Sequence, residues 1–66
     1  MFMYNEIIEF LTKERFRTKL FTTKEIAQGV GCTFFSTQQY LIELRDIGIV
    51  EKNNKNNDGK EFWRLC

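Results

Sequence analysis

Histidine is absent from this chain, and charge of either sign is nearly balanced: ten Lys and Arg against nine Asp and Glu leave a net charge of +1. Without histidine the most common general base and metal ligand is missing. The only cysteines are Cys32 and Cys66, and they do not form a paired zinc-ligand spacing. No carboxylate pair has a reason to be shifted in pKa. No glycine-rich phosphate loop is present, because Gly29 and Gly31 punctuate a turn and do not make a nucleotide fingerprint. The chain is therefore expected not to be an enzyme and to need no cofactor, metal or small-molecule ligand. No apolar run approaches the roughly 18 residues of a membrane span, and no signal peptide is visible. Cys32 falls where a turn wants a small apolar residue and is expected as a buried, reduced thiol. A cytoplasmic location fits both cysteines.

The 66 residues make one small domain, which buries only about 60% of its unfolded surface. Seven Phe, two Tyr and one Trp compensate, since each ring removes a large apolar area from water.

Apolar periodicity divides the chain. Ile7, Ile8 and Leu11, with Tyr4 one turn before Ile8, predict a first helix over about 3–14, widened by Phe10. Residues 14–20 break the pattern with Arg15, Arg17 and Lys19. This basic loop is either solvated or a contact for phosphate or a partner, and a short strand is expected at Leu20–Phe21. Thr22 followed by Glu25 is a capping box, with Phe21 and Ile26 in the flanking staple positions. It starts a second helix over about 23–30, which Gly31 ends in a left-handed turn. Thr33 is a second N-cap for a helix over about 34–47. Thr37, Tyr40, Leu41, Leu44 and Ile47 trace its apolar face, and Gly48 stops it. Residues 49–65 read as a hairpin with an Asn-rich tip ending in Asp58-Gly59. Phe62 and Leu65 are expected to anchor it, while Trp63 either packs on the first helix or sits half exposed.

The order helix, short strand, helix, helix, strand, strand is that of a winged helix-turn-helix, a mainly α fold with a small β-hairpin wing. In that fold the third helix lies in the major groove of double-stranded DNA. Gln38 and Gln39 can bond adenine edges, Ser36 a base or a phosphate, and Phe34 and Phe35 thymine methyls. The helix start at Thr33 offers free amides to a phosphate. Arg45, and Lys55 and Lys60 in the wing, are candidate phosphate contacts. The plain alternatives are an ordinary exposed helix face and a solvated hairpin. Phe34 and Phe35 point in different directions, so at least one is expected to be exposed as a contact surface. The weak net charge implies modest affinity for DNA alone.

Met3-Tyr-Asn-Glu-Ile-Ile-Glu-Phe-Leu11, Thr23-Lys-Glu-Ile-Ala27, Gln39-Tyr-Leu-Ile-Glu-Leu-Arg-Asp-Ile-Gly-Ile-Val50 and Phe62-Trp-Arg-Leu65 resemble the PapI/FaeA/PefI-type regulators of fimbrial operons in enteric bacteria. The resemblance covers nearly the whole chain and implies a bacterial transcriptional regulator of adhesin expression. It also implies a partner, the leucine-responsive regulatory protein, whose occupancy of promoter sites such a regulator raises. By position the recognition helix falls on Thr33 to Leu44. The rival expectation is an adaptor or antirepressor that uses the same scaffold without base-specific contact, anchored by Phe34, Phe35 and Ile42.

Overall fold

A computed structural model describes residues 3–14, 20–53 and 61–66. The elements run α1 (Tyr4–Glu14), β1 (Phe21–Thr22), α2 (Thr23–Val30), α3 (Phe34–Asp46), β2 (Val50–Asn53) and β3 (Phe62–Leu65). Three helices stand beside a small antiparallel sheet in the order β1-β3-β2, the layout of a winged helix-turn-helix. The strand expected before α2 is real, and it turns the hairpin into a three-stranded sheet: Phe21 pairs with Trp63, and Val50 with Leu65.

Local chemistry sets the ends of the helices. The Thr22 amide donates to Glu25 Oε1 at 2.8 Å, and the Glu25 amide donates to Thr22 Oγ1 at 3.1 Å. The capping box therefore closes in both directions and relieves two donors that a helix start otherwise leaves unpaired. Phe21 and Ile26, which flank it, are both buried. Gly31 ends α2 at φ +72°, where its amide and that of Cys32 both donate to the Ala27 carbonyl. Thr33 then caps α3, its hydroxyl accepting from the Ser36 amide at 3.1 Å.

The core is Ile7 and Leu11 of α1, Phe21, Ile26 of α2, Leu41 and Leu44 of α3, Val50 and Trp63. The wing anchor, Ile47 and Cys32 differ here from expectation. Trp63 is fully buried, and its indole N–H donates to the buried Thr23 hydroxyl at 2.8 Å. Leu65 is only half-buried against the core, and Phe62 is half-buried outside it. Trp63 therefore anchors the wing. Phe62 lies on the opposite face of β3, because strand side chains alternate. Ile47 leaves the core face altogether and is 69% exposed. The helix stops one residue before it, and Gly48 at φ +84° reverses the chain. Cys32 is a free, half-buried thiol, held at the surface of the turn between α2 and α3 instead of in the core.

Tyr4 ties α1 to α3. Its ring meets Tyr40 edge-on with centroids 5.1 Å apart, and its hydroxyl donates to the Glu43 carboxylate. The hydrogen bond to Glu43, chiefly, raises the Tyr4 phenol above its ordinary pKa. A raised pKa means that the folded state holds the proton more tightly than the unfolded chain. The contribution is present below about pH 10 and is lost as pH rises through the folded value. Tyr4→Phe is thus expected to lose urea stability near neutrality. Between pH 9 and 11 it should decline less than the native chain, as read from denaturation midpoints.

Candidate nucleic-acid interface

The candidate surface is the outward side of the first two turns of α3. Thr37, Leu41 and Leu44 face the core. At about 100° per residue, Phe35 and Gln39 stand opposite that face, and Phe34 and Gln38 stand to one flank. Burial follows this geometry: Phe35 is 72% exposed and Phe34 54%, Gln39 is exposed and Gln38 half-buried. Both phenylalanines are exposed, where only one was required. Ser36 is half-buried on the other flank.

From Thr33 to Ile42 there is no charged side chain. With the Thr33 hydroxyl taken by Ser36, the amides of Phe34 and Phe35 are the first-turn donors that have no acceptor within the helix. Their partial positive charge is the local electrostatic feature of this end.

Arg45 does not join this group. It lies about 16 Å further along the helix axis from Phe34, exposed, 3.8 Å from the Asp46 carboxylate. Lys55 and Lys60, the wing candidates, lie outside the described residues, as does the basic cluster Arg15, Arg17 and Lys19. The structure thus gathers Thr33, Phe34, Phe35, Ser36, Gln38 and Gln39 at one end of α3 and leaves Arg45 at the other.

The remaining cations are mostly neutralised. Lys13 pairs with Glu9 at 3.0 Å, Lys52 with Glu61 at 2.9 Å, and Arg64 with Glu51. Among the described residues Lys24 alone of the cations has no carboxylate partner. It is exposed in the first turn of α2, where a cation opposes the helix dipole. The sequence signal for this free cation is that neither of its i+3 and i+4 neighbours, Ala27 and Gln28, is acidic. Ile42, proposed as an adaptor anchor, is half-buried and packs against the core, which leaves Phe34 and Phe35 as the exposed apolar groups of this face.

Among the described residues no helix is long and apolar enough to cross a membrane, and no three His, Cys, Asp or Glu side chains cluster as a metal site would require.

A family model described as FaeA-like protein matches residues 3–66. No curated protein matches the chain. The family match spans the three helices and the sheet, so the chain belongs to the FaeA-like family and is a small regulator of the fimbrial-operon type.

Proposed function

From its membership of the FaeA-like family, we propose that this protein is a DNA-binding transcriptional regulator that inserts the first two turns of α3 into the major groove. The observation that carries this reading is the uncharged face of Phe34, Phe35, Gln38 and Gln39, exposed or half-buried beside the open amides at the start of α3. Groove reading uses hydrogen-bonding and apolar groups toward the base edges, for which carboxamides and phenyl rings serve, and donors toward the backbone. Thr33 contributes by holding the helix start, and Ser36 flanks the groove-facing residues. Lys24 and Arg45 are the phosphate contacts of the described chain, with Lys55 and Lys60 adding to them from the wing.

Affinity for naked duplex is modest in this reading. Phosphate neutralisation supplies most non-specific affinity, and most described cations already pair with carboxylates. A larger DNA-bound partner supplies the rest. By the family resemblance that partner is the leucine-responsive regulatory protein. Binding alone is expected at ~10⁻⁶ M or weaker near physiological salt, with a log–log salt slope shallower than about −4. Adding the partner should tighten it. A gel-shift titration across salt, with and without the partner, measures both. Tight binding without the partner and with a steep slope would overturn the partner requirement.

The adaptor reading retains one favourable observation, the exposure of Phe34 and Phe35. Replacing Gln38 and Gln39 together by alanine separates the two. Loss of promoter-specific shift supports groove reading. An unchanged shift, together with loss on Phe34→Ala or Phe35→Ala, supports the adaptor.

A further inference from the structure

We propose that the first two turns of α3 read a short run of A·T base pairs, Gln38 and Gln39 bonding adenine edges while Phe34 and Phe35 pack on thymine 5-methyl groups. This rests on the groove-reading role proposed above.

The argument starts from spacing. Phe34 and Gln38 are four residues apart, as are Phe35 and Gln39, so each phenylalanine stands one turn before a glutamine on the same side of the helix. The two pairs run in parallel about 100° apart around the helix, Phe35 and Gln39 on the outward face and Phe34 and Gln38 on one flank. Along the axis each pair spans about 6 Å, close to two base-pair steps of about 3.4 Å. A glutamine on one pair therefore brings its phenylalanine over a near neighbour.

The chemistry then selects the base. A carboxamide presents one acceptor and two donors, matching the adenine N6 donor and N7 acceptor. Thymine is the one base that offers an apolar group, its 5-methyl, in the major groove. An exposed phenyl ring gains by removing that methyl and itself from water. Phe34 and Phe35, 54% and 72% exposed, are the apolar groups available to do so.

The side chains that select G·C pairs are missing from this end of the helix, since the Ser36 hydroxyl bonds either pair without discriminating. Guanine is read by the paired donors of arginine or by lysine. From Thr33 to Leu44 neither occurs, and Arg45 is about 16 Å along the axis from Phe34 beside Asp46. Cytosine is read through its N4 donor by a carboxylate. The first carboxylate of α3 is Glu43, and it already accepts from the Tyr4 hydroxyl. What faces outward complements adenine and thymine, and what would complement guanine and cytosine is absent or engaged.

The test uses the full chain at low ionic strength, where a few phosphate contacts suffice for detection. Duplexes selected from a random library are expected to share a run of A·T pairs. In the selected duplex, uracil in place of thymine removes the methyl, and 7-deazaadenine in place of adenine removes the N7 acceptor. Each change is expected to weaken binding of the native chain, the second by about tenfold. Phe34→Ala with Phe35→Ala should abolish the response to uracil while keeping the response to 7-deazaadenine. Gln38→Ala with Gln39→Ala should do the reverse. All four side chains are exposed or half-buried, and an unchanged circular dichroism spectrum confirms that the variants fold. Selection of G·C-rich duplexes, or indifference of the native chain to both base analogues, overturns the A·T preference and leaves groove reading intact. Failure to retain any duplex overturns both.

Discussion

Trp63→Ala is expected to leave the domain largely unfolded at 25 °C. Trp63 is fully buried on β3, the central strand, which pairs with β1 on one side and β2 on the other. Its side chain is the largest in the core, and truncating it removes about 3–5 kcal/mol through lost burial and the cavity left behind. The hydroxyl of Thr23, a residue 3% exposed, loses the indole N–H that donates to it at 2.8 Å, adding about 1–3 kcal/mol if it stays unsatisfied. A chain of this length has a total stability of roughly 3–10 kcal/mol, so the loss consumes most or all of it. Circular dichroism should show loss of helix. Trp63→Phe keeps an aromatic ring against the core and loses the hydrogen bond and part of the volume. It should fold, with a urea midpoint clearly below that of the native chain. A Trp63→Ala protein within about 1 kcal/mol of the native chain would show that Trp63 does not anchor the wing.

Trp63 also shows where sequence reading stops. The helix starts were legible because an N-cap involves residues within three positions of each other: Thr22 with Glu25, and Thr33 with Ser36. Strand facing is not local in this sense. Phe62, Trp63 and Leu65 are all apolar, and only the packing of the sheet against the helices decides which side is inward. Phe62 and Leu65 are three apart, so a strand sends them to opposite faces, and they could not have anchored the wing together. Ile47 continued the helical period of α3, yet the left-handed turn at Gly48 ended that helix before it. The candidate interface divides in the same way. Its facing follows from the period of a single helix, and Phe34 and Phe35 both stand outside where their spacing required one. Its electrostatics depend on pairs remote in sequence. Arg64 meets Glu51 because the two are opposite in the β2–β3 register, and Lys52 reaches Glu61 across the same hairpin. Counting charges therefore understated how few cations remain for phosphate.

The second large effect has the opposite sign from helix propensity. Gly29 lies within α2, and alanine at an ordinary helix position is favoured over glycine by about 1 kcal/mol. Here a Cβ would sit 2.1 Å from Phe10 Cε1, 2.6 Å from Cδ1 and 2.7 Å from Cζ, well inside carbon–carbon contact at about 3.5–4.0 Å. The missing side chain is what lets α1 and α2 approach, so a residue that reads in the sequence as turn punctuation has a packing reason inside α2. The ring cannot withdraw without cost, because Phe10 stands edge-on to Phe21 with centroids 5.5 Å apart, and Phe21 is core. Gly29→Ala should therefore destabilise by about 1–3 kcal/mol, the range for overpacking, read as a lower urea midpoint with unchanged slope. The cause is separable from any intrinsic effect on the helix. In a Phe10→Ala background the clash is gone, so adding Gly29→Ala should recover the propensity gain of about 1 kcal/mol and reverse the sign of the change. Such a reversal across the double-mutant cycle is expected of residues that touch or share one packing site, and not of independent positions. A Gly29→Ala protein more stable than the native chain would mean that the Phe10 ring moves aside freely, and that the Phe10–Phe21 contact does not set the spacing between α1 and α2.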